Sequence, residues 1–225
     1  MNEKIDVLDH GFVRLVDHMG GDLSVVRAAR VSYDADWRAG EDQGGDEKLL
    51  RYLWSHGHTT PFEAVTLTFE VYAPIFIFRQ WHRHRTWSFN ELSARYRNLP
   101  EVFYVPAPET IGQQSASSKQ AREMTGTTDA GAADLIRNAC ATSFINYRIL
   151  LARGVPREIA RSVLPVATYS HMFVTVNLLN LLKFLTLRTH LHAQWEIQMY
   201  AHALKELAST VAPICLSAWN SGLSE

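Results

Sequence analysis

The chain is 225 residues long, 47% hydrophobic and 20% charged. A chain of this length can bury a core without disulfide or metal staples, and one domain over residues 1–225 is expected. Its 22 basic and 23 acidic residues leave a net charge of −1, which argues against a nucleic-acid partner and against a polybasic membrane-surface protein. In chain order, residues 5–8 are a short apolar run, and residues 22–30 read as a helix with Asp22 as N-cap. Residues 39–45 form an acidic, glycine-rich loop. Asp46 caps a second helix, apolar at Leu49, Leu50, Leu53 and Trp54, that stops at Gly57. Residues 64–72 are rich in β-branched and aromatic side chains, with Thr66, Thr68 and Glu70 alternating with apolar neighbours, the pattern of a strand. Pro74 opens a helix through Arg85 whose start is apolar and whose end is charged. Residues 113–131 are poor in large apolar side chains and read as a mobile surface insertion. Residues 132–153 are helical up to Gly154, and Pro156 starts a helix to Leu164. Residues 168–176 read as a strand or an extended bridge, and helices cover 177–189 and 193–211. The expected class is α+β, a sheet from the first half of the chain with helices packed on it.

No apolar run is long enough to span a bilayer, and the N-terminus lacks the basic-then-apolar pattern of a signal peptide, so a cytoplasmic location is expected. Cys140 and Cys215 have no metal spacing and no activating neighbours, and both read as packing residues. His82-x-His84 and His190-x-His192, if helical, would point about 200° apart, so no protein-bound metal is expected. No Gly-x-Gly-x-x-Gly or Gly-Lys-Ser/Thr loop is present, which argues against a Rossmann or P-loop site. The densest chemical signal is residues 79–97, RQWHRHRTWSFNELSARYR, with five arginines against one acid, Glu91, a local charge of +4. Guanidinium forks beside Ser88, Asn90 and Ser93 suit a phosphate. The plain alternative is a solvated basic helix end. Trp81, Trp87, Phe89 and Tyr96 favour instead a basic, aromatic pocket for a nucleotide. In the leucine-rich helix that follows Val176, Asn177, Asn180 and Arg188 share an arc of about 80°. A buried arginine there needs an anionic or strongly accepting partner, an internal ion pair being the alternative. Near Gly57, Thr60 and Glu63 have capping-box spacing, which leaves His58 at a sharp turn with no structural task.

Arg83-His84-Arg85, followed after seven residues by Ser93 within the run RHRTWSFNELSARY, resembles the signature of the flavin-dependent thymidylate synthases. The likeness extends to DLSVVRAARVSY, HGHTTPFE, APIFIFRQWHRHR, GVPREIARSVLP and LKFLTLRTHLHAQWEIQ. It implies the family's α+β fold, a mixed sheet packed with helices, and a homotetramer whose active sites are shared between subunits. It also implies FAD as cofactor, with NADPH and 5,10-methylenetetrahydrofolate as co-substrates in C5-methylation of dUMP without a cysteine nucleophile. By resemblance, Ser32, His58, Thr60, Glu63, Arg83, His84, Arg85, Glu91, Asn177 and His192 correspond to flavin-site positions. Gln80, Arg83, Glu91, Leu92, Ser93, Ala94, Arg95 and Arg161 correspond to nucleotide-binding positions. Arg188 corresponds to the catalytic arginine, which also binds substrate: it holds the uracil ring and favours its N3-ionised, electron-rich form. Ser93 is assigned to substrate binding, because no base is evident beside it.

Four positions depart from the family pattern. Leu179 stands where an arginine is usual, Lys183 where asparagine or histidine is common, and Ala167 and His171 where asparagine and arginine are often seen. They change what this region offers to flavin and folate, and they keep UMP open as the alternative substrate, as in the UMP-methylating branch of nucleoside-antibiotic pathways. A nucleotide-binding homologue without turnover is the reading from a different class, resting on Leu179 alone.

Overall fold

Strands in this chain alternate apolar and polar side chains, so each turns its apolar set to one side of the sheet. The computed structural model describes residues 4–124 and 131–222. Its first part runs through β1 (Lys4–Val7), β2 (Gly11–Met19), α1 (Asp22–Arg30), α2 (Gln43–Ser55), β3 (Thr66–Pro74), α3 (Ile75–Trp81) and β4 (Ser88–Glu91). Then come α4 (Pro108–Ile111), β5 (Gln113–Gln114), β6 (Arg122–Glu123), α5 (Ala132–Ala152) and α6 (Arg157–Ala160). β7 (Tyr169–Asn177) leads into α7 (Leu178–Arg188), α8 (Trp195–Ser209) and α9 (Pro213–Ser221).

The main sheet has the order β1-β2-β3-β7-β4, and every pairing in it is antiparallel. The α+β class holds, but the expected mixed sheet is corrected to an antiparallel one. Nor does the sheet come from the first half alone, since β7 from the second half lies between β3 and β4. Val13, Leu15, Phe69, Val71, Met172 and Val174 are buried with Leu181 and Leu185 of α7 and with Ile197, Tyr200 and Leu204 of α8. Burial of side chains this large contributes about 1.5–3 kcal/mol each. α7 is apolar nearly all round because it runs inside this core, with Leu178, Leu179, Leu181, Leu182, Phe184 and Leu185 all buried. The other face of the strands carries a polar cluster. There Arg14 Nε donates to Glu70 Oε2 at 2.7 Å and His171 Nε2 donates to Glu70 Oε1 at 2.7 Å.

Several local expectations change. Asp22 begins α1 but does not cap it, Gly21 being the N-cap. Its carboxylate accepts the Ile214 and Cys215 amides at 3.0 Å and so caps α9, a helix beyond the expected set. Asp42, not Asp46, caps α2 through the Gly45 amide, so residues 43–45 are helix rather than loop. Asp46 lies one turn in, buried and paired with Arg30. Gly57, at φ +70°, adopts the left-handed conformation that the turn after α2 requires. α3 stops at Trp81, so Arg83–Arg85 form a turn and not a helix end. After Pro156 the helix is short, and a 3-10 turn, Arg161–Val163, follows it. Within the expected insertion, β5 and β6 pair as a two-stranded ladder, while residues 125–130 lie outside the described residues. Among the described residues no helix is long and apolar enough to cross a membrane.

Candidate active site

The Arg83–Arg85 turn is pinned from the core side. Trp81 and Trp87 are buried, their rings 5.7 Å apart and 5.0 and 5.1 Å from Phe184 of α7. The His84 ring meets the same phenylalanine edge-on at 4.7 Å. These tryptophans anchor the turn and do not wall an open pocket, which corrects the aromatic-pocket expectation. Of the four aromatic residues singled out there, Phe89 is half-buried and only Tyr96 is largely exposed, at 81%. With the turn anchored, Arg83 and Arg85 are exposed, and neither pairs with a carboxylate among the described residues.

Arg188 sits in the last turn of α7, where the negative end of the helix dipole favours a cation. Its Nε donates to His84 Nε2 at 3.0 Å, and its Nη2 donates to the Gln80 main-chain carbonyl at 3.3 Å. It is half-buried and not fully buried, and no described carboxylate pairs with it, so the internal ion pair does not form. Burial, and then the charge of Arg188, push the pKa of His84 down to about 4. The imidazole is therefore neutral near pH 7, with Nε2 as acceptor and the proton on Nδ1. Burial also lowers the pKa of Arg188, but a guanidinium stays charged in proteins. The outcome is a cation oriented by two neutral acceptors, with its charge left for an anionic or electron-rich ligand.

The remaining candidates lie in two other places. In the 91–95 segment, Glu91 Oε1 accepts the Ser170 hydroxyl at 2.8 Å and the Leu92 amide donates to the His171 carbonyl at 2.7 Å. Ser93 Oγ accepts the Arg95 amide at 3.3 Å and has no imidazole or carboxylate bonded to it among the described residues. Ala94 is buried, Arg95 pairs with Glu158 of α6 at 3.7 Å, and Arg161 is exposed on the following 3-10 turn. Elsewhere, Ser32, His58, Thr60 and Glu63 are all exposed, on the 3-10 turns Val31–Tyr33 and Thr60–Ala64 and the link before the second. Thr60 caps no α-helix, so the capping-box expectation fails, and His58 meets the Tyr52 ring at 6.1 Å. Asn177 caps α7, its Oδ1 accepting the Asn180 amide at 2.9 Å and Asn180 Nδ2 at 2.8 Å.

Arg188 and Asn177 therefore lie at opposite ends of α7, about 16 Å apart at 1.5 Å per residue, although they share a face. Glu91 is likewise paired with Met172, towards the end of β7 remote from Asn177. His190 and His192 lie on a turn with rings 4.9 Å apart, so the helical reason for excluding them as a pair does not apply; His192 is exposed. Among the described residues no group of three or more His, Cys, Asp or Glu is placed to hold a metal. Both cysteines are buried, and burial pushes both thiols up, Cys215 the further, which leaves no reactive thiolate. Sequence reasoning missed two buried carboxylates, Glu70 and Glu196. Glu196 was legible in one respect: it shares the helical face of Tyr200, Ala203 and Leu207, all buried.

The family described as thymidylate synthase complementing protein matches residues 14–214. The flavin-dependent thymidylate synthase of Thermotoga neapolitana is 46% identical over 210 residues, 93% of this chain and 91% of that protein. The chain belongs to this family. The flavin-dependent thymidylate synthase of Thermus thermophilus is 45% identical over 221 residues, 98% of this chain and 80% of that protein. Among solved structures, the UMP/dUMP methylase PolB from Streptomyces cacaoi bound with 5-Br dUMP matches with a TM-score of 0.87 at 40% identity. That match covers 96% of this chain and 97% of PolB. The PolB structure with 5-Br UMP gives 0.86 and 39%, over 96% of each chain. For a flavin-dependent thymidylate synthase, the departures fall into two kinds. Leu179 is 4% exposed and part of the main core, so α7 offers packing there in place of a cation, whereas Lys183 is exposed. His171 is held by Glu70, while Ala167 contributes its carbonyl to the Tyr104 amide at 2.9 Å.

Proposed function

We propose that the protein methylates C5 of a uracil nucleotide, dUMP in the first place, using 5,10-methylenetetrahydrofolate, NADPH and FAD. The observation that carries this reading is Arg188, a cation fixed by neutral His84 and by the Gln80 carbonyl, with no carboxylate partner among the described residues. Beside N3 and O2 of uracil it stabilises the charge that develops as C5 becomes nucleophilic, and its orientation is in place before substrate arrives. Neutral His84 orients it without cancelling the charge. Arg83, Arg95 and Arg161, with the Ser93 hydroxyl, suit the nucleotide phosphate, and Gln80, Glu91, Leu92 and Ala94 frame it. Ser93 binds and does not attack, because among the described residues no imidazole or carboxylate is bonded to it to take its proton.

The flavin positions fit FAD in kind. Arg83 and Arg85, exposed and without a carboxylate partner among the described residues, suit a pyrophosphate, and the Asn177 amide, the Thr60 hydroxyl and the Glu63 carboxylate suit polar ring edges. Ser32, His58, His84, Glu91 and His192 would complete that site, and FAD held there, once reduced by NADPH, would supply the hydride that finishes the methyl group. Because Asn177 lies at the opposite end of α7 from Arg188, and Glu91 pairs with Met172 five residues along β7 from Asn177, we propose that the complete site lies between copies of the chain in a homotetramer. The chain then works as one domain in the cytoplasm, with no nucleic-acid or membrane partner.

The test is tritium release from 5-tritiated dUMP and UMP, side by side, with NADPH and methylenetetrahydrofolate. A yellow protein that releases tritium from dUMP is expected, and Arg188→Ala is expected to lower turnover about 100-fold or more. Protein that takes up no FAD and releases no tritium from either nucleotide would sink the reading. The likeness to the UMP/dUMP methylase PolB keeps UMP as the second reading, and faster release from UMP would select it.

A further inference from the structure

Behind Arg188 runs a chain of hydrogen bonds that ends on a buried carboxylate. Glu196, in the first turn of α8, is 2% exposed. Its Oε1 accepts the Tyr104 hydroxyl at 3.1 Å and lies 3.0 Å from Arg122 Nη2 of β6. Its Oε2 accepts Gln194 Nε2 at 2.8 Å. Gln194 Oε1 accepts Gln80 Nε2, and Gln80 is the residue whose main-chain carbonyl receives Arg188.

The direction of these bonds is set from one end. A carboxylate beside a guanidinium only accepts, so Gln194 must turn its amide NH2 towards Glu196 and its oxygen towards Gln80. Gln80 must then donate. Its own Oε1 has no hydrogen-bond partner among the described residues and is left as a free acceptor on the residue whose main-chain carbonyl receives Arg188. If position 196 could also donate, both glutamine amides could turn over, and Gln80 would lose its fixed orientation. Arg122 compensates the buried charge, which ties the β5–β6 ladder to the site through three side chains.

We propose that Glu196 is a positioning residue, which fixes the donor–acceptor order of Gln194 and Gln80 and so steadies the end of α3 that holds Arg188, with Arg122 balancing its charge. This rests on the reading of Gln80 and Arg188 as part of a uracil-nucleotide site.

The test measures dUMP and UMP affinity by calorimetry on the full-length protein, with circular dichroism to check the fold. Glu196→Gln keeps shape and loses the acceptor-only character, and about tenfold weaker binding is expected. The double variant Gln194→Glu/Glu196→Gln moves the acceptor-only group one link closer to Gln80. Glu at 194 then accepts from both neighbours, Gln80 again donates, and most of the lost affinity is expected to return. A role in packing alone predicts the reverse, an isosteric E196Q that binds normally. Unchanged affinity in E196Q, or no recovery in the double variant, overturns the proposal. Should E196Q fail to fold, Gln194→Met cuts the same relay, and unchanged affinity there overturns it equally. Unsubstituted protein that binds neither nucleotide overturns the reading of the site and this inference with it. Normal binding by the unsubstituted protein and both single variants overturns this inference alone.

Discussion

His84 accepts a hydrogen bond from Arg188 only while its Nε2 carries no proton. Its pKa is about 4 in the folded chain against an ordinary 6.5, from burial and from the arginine. The unfolded chain takes up that proton near pH 6.5 and the folded chain resists until about pH 4. The contribution to stability is therefore complete above 6.5 and is lost as pH falls towards 4. The thermal midpoint is expected to drop across that window, and His84→Gln, which can still accept from Arg188 but does not titrate, to show a shallower drop. Equal slopes would remove this role for His84. The motif made His84 and Arg188 visible as residues, but their pairing spans the sequence from the α3 turn to the end of α7, which no local pattern records. The tryptophans show the converse limit. Their aromatic content was plain in the sequence, but only packing against Phe184 decides that they face inward.

At the level of elements, Asp22 links the two ends of the chain: it starts α1 and caps α9. Asp22→Ala is expected to cost about 1–2 kcal/mol, the usual loss for a helix cap. At a few degrees per kcal/mol for a chain this long, thermal unfolding would register it, and an unchanged midpoint would contradict the capping role. The same residue explains one failure of sequence reading. α9 begins at Pro213 where its free amides meet a carboxylate from the other end of the chain, so its start is a tertiary fact. β4 was equally hidden: four residues, Ser88–Glu91, mostly exposed, that form a strand because the edge of β7 accepts them. The long helices α5 and α8 were legible because their apolar spacing carries the information, and α7 because its run of leucines is too apolar for a surface element. The strand order was not, since it depends on pairings between distant segments.

For the molecule as a whole, the proposed division of a site between subunits has a direct check. Arg188→Ala and Arg95→Ala are each expected to be inactive alone. If each site takes these arginines from different copies, co-expressed mixtures are expected to regain turnover, because some sites then contain neither substitution. Mixtures as inactive as their components would place both arginines in one chain's site. The position of β7 between β3 and β4 also has a consequence for synthesis. β3 can pair with β2 early, but its second neighbour, β7, starts only at Tyr169, after α5 and α6 have been made. Until then Phe69 and Val71 belong to an unpaired edge, a surface that invites association with other unfinished chains. The 91–95 segment, fastened by the Leu92 amide to the His171 carbonyl, cannot take its final position before that strand arrives. The 91–95 segment, proposed to bind the nucleotide, is thus completed late in the folding of the chain, and any shortage of the last third of the protein leaves it without a floor.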